Sequence, residues 1–489
     1  MSSSADLGRH PQRFGIGSIL LANLLPLGGV LWFGWEPSVL VVIYGLELLF
    51  TFPLAGVKAL FAQQPSRSDT DDGSSVVSVS HQLTETRGSV RVVSWLPPIY
   101  PRNLPFAAAL VNGSLWFLIM FGVVLSSVGP VGDVLTRPEV LVSVFALVIA
   151  QSVETWREYL RDGYKTASAY SVIETPARQA FFLTFVLVVT PGIGAVGIEG
   201  ILGVIVVVKL LTEWSTHRAT NSDTGGLTDW LAGPDPTAVD RDPVDIPDTD
   251  PEARIATDGR AALYTGVFDV FGRLAPFVVM PFIFGWFIAM LMLGDGTPAV
   301  VGLAVSAIIV MSFIGYLAAR VLMVYLQYGF VEYRRYGDQL VAYDTLLNEP
   351  QWSTPISTLR NVQIVPDRLA DRLVGTRTVV LTTGWSDHER RRYLGPTAAV
   401  DELIEAFELP VRKIDLEPLD RRPAAVIIAA LSGFVTLVVL LGVGPWVTLS
   451  ELLSSGLVYG IFGLPVGGLV LRFVWVQSYP DRTTEPVRN

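Results

Sequence analysis

Glu47 stands near the middle of an uninterrupted apolar run, residues 38–58. An ionisable group at that depth in a bilayer is costly, and such groups mark functional sites by default. Asn23 and Asn112 fall inside other apolar runs of the same half of the chain. Gln151 and Glu154 lie near one end of the run 138–156. Facing one interior, these five residues would form a polar pocket or a proton-linked site. The same residues also suit hydrogen bonding between helices, with Glu47 protonated and paired to an Asn. Glu47 reads as a lone acid, with no basic partner in the spans. A second constellation is Arg390-Arg391-Arg392, the densest basic cluster. Near a membrane it would attract anionic headgroups, each charge contributing about 1 kcal/mol. High salt shrinks that attraction. On a strand, alternating arginines are also simply solvated.

Both constellations bind rather than break bonds, and signatures of bond-breaking chemistry are missing. His388-Glu389 lacks the second His of the zinc-protease motif, and neither Gly-x-Ser-x-Gly nor a P-loop occurs. The His residues, His10, His81, His217 and His388, are scattered. The chain has no Cys, which excludes disulfides, thiolate catalysis and Cys-ligated metal. No aromatic platform accompanies the basic cluster, so nucleic acid is not an expected partner. The expectation is a non-enzymatic protein without cofactor or metal.

Positioning these residues requires a membrane architecture. Of 489 residues, 51% are hydrophobic and only 16% charged, against about 25% charged in a soluble domain. Mean hydropathy is +0.47. Apolar runs of roughly 18 residues or more read as bilayer spans, and in hydrocarbon they must be helices. About ten are read, at 14–34, 38–58, 106–128, 138–156, 177–191, 195–213, 268–293, 298–327, 424–444 and 452–475. The pair within 177–213 is short and divided by Pro191-Gly192-Ile193-Gly194. One tilted helix or a re-entrant pair are its alternatives. The ten-span threading leaves all but Arg137 of the 35 Lys and Arg residues on one side. Basic loops stay cytoplasmic, so both termini and every long loop are expected inside a plasma membrane.

Met1–Arg13 is short and polar, and the run after it is too long for a signal-peptide core, so a retained first helix is expected. Net charge is -10 and only Lys58, Lys165, Lys209 and Lys413 are lysines. An acidic, lysine-poor surface suits a high-salt, haloarchaeal cytoplasm; a GC-rich genome favouring Arg codons accounts for it equally.

The chain divides into a six-span domain at 1–213, a Pro- and Asp-rich linker at 214–267, a helix pair at 268–327, a soluble insert at 328–409 and a closing helix pair at 424–475. The linker buries too little apolar surface to fold. In loop 59–105, Val77, Val79, Val90 and Val92 suggest a hairpin about Arg87-Gly88. In the insert, strands are read at 329–336, 339–346, 361–366 and 376–382, with Gly337-Asp338 as a turn. A closing helix follows, capped by Thr397, with Val400, Leu403, Ile404 and Phe407 on one face. Strands followed by one helix read as a small β-sandwich or barrel plugged by that helix.

Within the insert, Tyr333-Arg334, Asp338, Leu340, Pro355-Ile356, Leu359, Asn361-Val362, Arg372-Leu373, Gly375 and Thr378-Val379 resemble the bacterial pleckstrin-homology-like domain of multi-span membrane proteins. The resemblance covers about 80 residues. It implies a pleckstrin-homology-like fold held against the inner membrane face; it does not imply phosphoinositide binding, and no residues of such a site carry over. More weakly, Asn23-Leu24-Leu25-Pro26, Gly29, Gly34-Trp35, Tyr44 and Glu47 resemble an uncharacterised family of prokaryotic, chiefly haloarchaeal, membrane proteins over 14–213. That family's Tyr-Trp-x-Glu corresponds to Tyr44-Gly45-Leu46-Glu47.

The remaining features read as architecture. Asp269 and Arg273 suit a local interfacial pair. Arg320 would snorkel towards phosphates. Gly456, Gly460, Gly463 and Gly467 allow close helix packing. The leading expectation is a scaffold or lipid-surface module whose partners are membrane lipids and other membrane proteins. The alternatives are a solute or ion transporter using Glu47, and an intramembrane enzyme with an unrecognised site.

Overall fold

The structure is a computed structural model. It describes residues 37–66, 79, 81–126, 132–135, 137–189, 197, 199–211, 243–272, 276–293, 298–365, 368–383 and 390–411, with single positions 32, 34, 36, 422, 425, 429 and 432. It is mostly helical, with a separate region of antiparallel sheet. Among the described residues four helices, rather than ten, are long and apolar enough to cross a membrane: Pro37–Phe61, Pro101–Val123, Val140–Thr166 and Val300–Tyr328. The expected spans 424–444 and 452–475, and nearly all of 14–34, lie outside the described residues, as do Asn23, the Pro191–Gly194 break and the Gly456–Gly467 ladder.

The first helices are α1 (Pro37–Phe61), α2 (Leu104–Ser126), α3 (Pro138–Glu154), α4 (Ala169–Val189) and α5 (199–211). A π-helical stretch, Thr155–Gly163, prolongs α3. Helix α1 packs against α2, α3 and α4. Gly45 packs directly against the Phe121 ring of α2, and a Cβ there would force that ring to move.

Three helices of the second half follow: α6 (Gly259–Gly272), α7 (Pro276–Leu293) and α8 (Ala299–Tyr328). Helix α2 serves both halves. Phe106, Leu110, Phe117 and Phe121 join the cluster formed with α1, α4 and α5. Ala108 and Leu115 join a second cluster with Phe282, Ile283, Phe313 and Tyr316 of α7 and α8. The two halves therefore share a helix. A Cβ on Gly122 would fall 2.2 Å from Ile288 of α7, which shows how tightly the seam closes.

One expected span differs. The run 177–191 belongs to a helix that begins earlier, at Ala169. Of the run 268–293, the described residues form the end of α6 and all of α7. Asp258 caps α6, its Oδ1 accepting from the amides of Arg260 (2.8 Å) and Ala261 (3.2 Å).

Among the described residues the sheet region holds seven strands. The first sheet has order β1 (Ala253–Ala256), β2 (Val331–Tyr336), β3 (Gln339–Asp344), β4 (Glu349–Pro355). The second has order β5 (Leu359–Ile364), β6 (Arg377–Thr383), β7 (Arg390–Thr397). All pairings are antiparallel. A short helix α9 (Leu369–Val374) leads into β6, and α10 (Val400–Ala406) closes the region. The Thr397 hydroxyl accepts from the Ala399 amide (3.2 Å), one turn short of the helical cap expected of it.

Strand β1 corrects the linker boundary. Residues 214–267 were expected to be extended and solvated, yet Ala253–Ala256 pairs with β2, Ile255 opposite Tyr333, and buries Ile255 in the core. The domain thus begins before the α6–α8 helices and resumes after them. Its core gathers Tyr333, Leu340, Val379, Leu381, Leu394, Leu403 and Phe407, all fully buried or nearly so. The expected plugging face of the last helix is present: Val400, Leu403 and Phe407 fill this core.

Loops join the two regions. The Gln82–Glu85 turn is capped by His81, whose Nδ1 accepts from the Leu83 amide (3.1 Å), and Leu83 is fully buried against α7 and α8. Arg87 and Gln351 then exchange two hydrogen bonds, backbone amide to Oε1 (2.8 Å) and Nε2 to backbone carbonyl (3.2 Å). Val90 forms an antiparallel bridge with Ile99; Val77 of the expected hairpin lies outside the described residues.

Candidate functional site

Glu47 projects from the middle of α1 towards α5, where Lys209 meets it. The Lys209 Nζ donates to both carboxylate oxygens at 2.9 Å. Both side chains are about three-quarters buried. This overturns the expectation of an acid without a basic partner in the spans. The partner comes from the apolar run 195–213, 162 residues away. Tyr44, one turn before Glu47, lays its ring 5.0 Å from the same Nζ. At i and i+3 on a helix, Tyr44 and Glu47 share a face, so one cation touches a carboxylate and an aromatic face together.

These groups line a small, half-open cleft between α1, α4 and α5. Thr51 and Gln179 add polar groups, and Leu48, Leu183, Ile205 and Val208 form apolar walls. The Thr51 hydroxyl donates to the Glu47 carbonyl (2.8 Å) and accepts from Gln151 Nε2 (3.3 Å). The lining is mostly apolar, with a few convergent polar groups. Opposite charges in contact neutralise each other here, which is how partly buried charged side chains are tolerated.

Of the five expected residues, Glu47 lines the cleft and Gln151 reaches it through Thr51. Asn112 is half-buried on α2 and is not part of the lining. Glu154 is exposed near the end of α3. Asn23 lies outside the described residues. The structure adds Tyr44, Thr51, Gln179 and Lys209. The sequence carried one signal for Lys209: an ammonium inside an apolar run needs a counter-charge.

A second buried pair lies on α4. Arg178 Nε donates to Glu174 Oε1 at 2.6 Å, and both side chains are almost fully buried. Their i, i+4 spacing makes this pair local to one helix.

The arginine cluster does not act as a unit. Arg392 lies between the Trp352 ring, 5.5 Å away, and Glu85, to which it pairs at 3.2 Å. It fastens β7 to the 82–85 turn. Arg391, on the opposite face of the strand, is exposed. The side chain of Arg390 lies outside what the structure describes. Alternation along β7 explains the split, since successive side chains point to opposite faces.

Residues shared with the pleckstrin-homology-like pattern serve the fold. The Tyr333 hydroxyl donates to the Tyr393 carbonyl (3.0 Å) and accepts from the Gly395 amide (3.1 Å), tying the first sheet to the second. Burial pushes its phenol well above the usual tyrosine range. Asp338 accepts from the amide (3.0 Å) and hydroxyl (2.6 Å) of Ser357. Gly375 ends α9 at φ +80°, a conformation that favours glycine. Arg334 stacks over Tyr343 at 3.6 Å and pairs with Glu332. These contacts leave the pattern with structural duties.

Comparison with known proteins adds one similarity. Residues 6–225 match the model of a family of unknown function, DUF6498. The match takes in α1 to α5, with Tyr44, Glu47 and Lys209, and ends before the sheet region. No curated protein and no solved structure matches the chain.

Proposed function

We propose that the chain is a multi-pass protein of the plasma membrane that binds, and moves or senses, a small polar solute at the Glu47–Lys209 cleft. The observation that carries this reading is the cross-helix ion pair itself, set in a partly open cleft with polar and apolar walls. Helix packing alone needs no charges: Ile201, Leu202, Ile205 and Val206 of α5 already lie in one apolar cluster with α1. Two opposite charges placed on separate helices make a site that a solute or a proton can open. The role is one of binding, without a catalysed step and without a cofactor.

In this reading the termini and the sheet domain face the cytoplasm, as the distribution of Lys and Arg supports. The sheet domain is a pleckstrin-homology-like module. Its four-plus-three antiparallel strands and closing helix support that assignment. Its attachment through Arg87–Gln351 and Glu85–Arg392 would carry movement of the helices into the domain.

The test is a screen of small polar solutes for stabilisation of the full chain in lipid nanodiscs, read as a rise in unfolding temperature. Wild type is expected to respond to at least one solute class, and Glu47→Gln to lose that response. Responses retained in full by Glu47→Gln would refute the reading.

A second reading, a lipid-surface scaffold, is supported by exposed Arg391 on the sheet domain. It predicts that Arg391→Ala weakens association with anionic vesicles while Glu47→Gln changes nothing.

A further inference from the structure

We infer that the loop from Arg91 to Pro98, together with Trp156, is an anchor that seats in the headgroup layer of a phospholipid leaflet. This rests on the membrane-spanning part of the reading above and is independent of the Glu47–Lys209 cleft. The loop is closed at its foot by the Val90–Ile99 bridge, with both amide-to-carbonyl bonds at 2.8 Å. Pro97-Pro98 limits its freedom. Its tip presents apolar side chains outwards: Val92 is 67% exposed and Trp95 is 64% exposed. Apolar groups grouped in this way mark an interaction surface.

The position of the loop identifies what covers it. Val142, Phe145, Ile149, Val153 and Trp156 are all exposed on α3 and its π-helical extension. They recur every three or four residues, so they form one apolar stripe along a helix long and apolar enough to cross a membrane. The stripe ends on Trp156, and the Trp95 ring rests against it with centroids 5.3 Å apart. The loop thus continues the face that α3 turns to lipid. Two hydrogen bonds fix its level. The Tyr100 amide donates to the Leu60 carbonyl in the last turn of α1 (3.0 Å), and the Tyr159 hydroxyl donates to the Lys58 carbonyl (2.8 Å). The end of α1, the extension of α3 and the foot of the loop therefore lie at one height.

Charge fits the same occupant. Residues 86–104 contain no Asp or Glu, and Arg91 is exposed four residues before Trp95. On the extension, exposed Arg157 and Arg161 offset Glu154 and Glu158, and Asp162 pairs with Lys165. No net negative charge there repels a phosphate. Arginine at headgroup level attracts that phosphate. Tryptophan is enriched at the same level because its ring is apolar and its N–H is polar.

The experiment uses single-cysteine variants of the full chain, which has no native cysteine. Val92→Cys, and Phe145→Cys as a reference in the middle of α3, are labelled with an environment-sensitive dye in phosphatidylcholine–phosphatidylglycerol nanodiscs. Lipids carrying a nitroxide either just below the headgroup or deep in the acyl chain then quench the dye. Val92→Cys should be quenched about twofold more by the shallow nitroxide than by the deep one, the order expected of an anchor in the headgroup boundary. Phe145→Cys should show the opposite order. Adding Trp95→Ser should cut the quenching at Val92→Cys severalfold. Quenching of Phe145→Cys without quenching of Val92→Cys overturns the anchor and leaves the spans in place; the tip then meets a protein partner or a second copy. Absence of quenching at both positions overturns the membrane reading as well. Quenching at Val92→Cys that Trp95→Ser leaves unchanged overturns the anchoring role of the tryptophan.

Discussion

Lys209 reaches across 162 residues of sequence to hold both carboxylate oxygens of Glu47 at 2.9 Å. The two residues belong to different helices, and the bond ties α1 to α5 beside a cleft.

Removing one partner takes from the other the counter-charge that both carboxylate oxygens and the ammonium share at 2.9 Å. Glu47→Gln and Lys209→Met should each destabilise the helical bundle by about 1–3 kcal/mol. This is below the roughly 3–5 kcal/mol typical of a fully buried pair, because about a quarter of each side chain remains accessible. The double variant should recover part of the loss. A double-mutant cycle on the unfolding temperature in lipid measures this, and strictly additive losses would mean that the two charges do not interact.

Gly45 gives a packing prediction. In Gly45→Ala the new Cβ must find room 2.0 Å from Phe121 Cε1. The ring has to move, at about 1–3 kcal/mol. In a Phe121→Ala background the same change should be nearly neutral. Thermal unfolding of the four proteins checks this; an equal penalty in both backgrounds contradicts the close approach of α1 and α2.

Asp344 gives a pH dependence. It is almost fully buried, and burial raises its carboxyl above the usual range, opposed by hydrogen bonds from the Leu347 and Leu346 amides. A raised value means that the folded chain binds the proton more tightly than the unfolded one. Stability from this group is therefore present at low pH and declines as pH rises through the shifted value. Asp344→Asn keeps an acceptor oxygen for both amides. It should raise the unfolding temperature relative to wild type at pH 7 and lose that advantage below pH 4. A variant less stable than wild type at neutral pH would show that the carboxylate charge is needed.

The loop tether can be loosened separately. Gln351→Ala removes both hydrogen bonds to Arg87. A neutral hydrogen bond contributes about 1 kcal/mol net, so exchange of the Arg87 amide should quicken severalfold. Hydrogen–deuterium exchange over residues 82–88 reads this directly, and unchanged exchange would place the tether elsewhere.

What the sequence disclosed follows from how far each signal travels. The apolar runs at α1, α2, α3 and α8 were legible because length and hydropathy are local. So was the last helix, whose inward face repeats at helical spacing. The partnership of Glu47 and Lys209 was not, because sequence spacing reveals pairs three or four residues apart, as in Glu174–Arg178, and not pairs between distant helices. Helix α2 is apolar all round, and its two packing faces hide the fact that it serves two clusters. Strand β1 is four residues long and sits among prolines and aspartates, so composition masked it; pairing with β2 decides its conformation. Arg392 looked like part of a basic patch until strand alternation separated it from Arg391.

The apposition of Glu47 and Lys209 underlies the proposed site, and the absence of native cysteine allows it to be tested cleanly. Glu47→Cys and Lys209→Cys, combined in the full chain in membranes, should be joined within one molecule by a short bifunctional thiol reagent. Pairing Glu154→Cys with Lys209→Cys should give no such product, since Glu154 lies exposed outside the cleft. Efficient joining of the first pair alone is the predicted result. Failure of that pair to join while both thiols remain reactive would contradict the account.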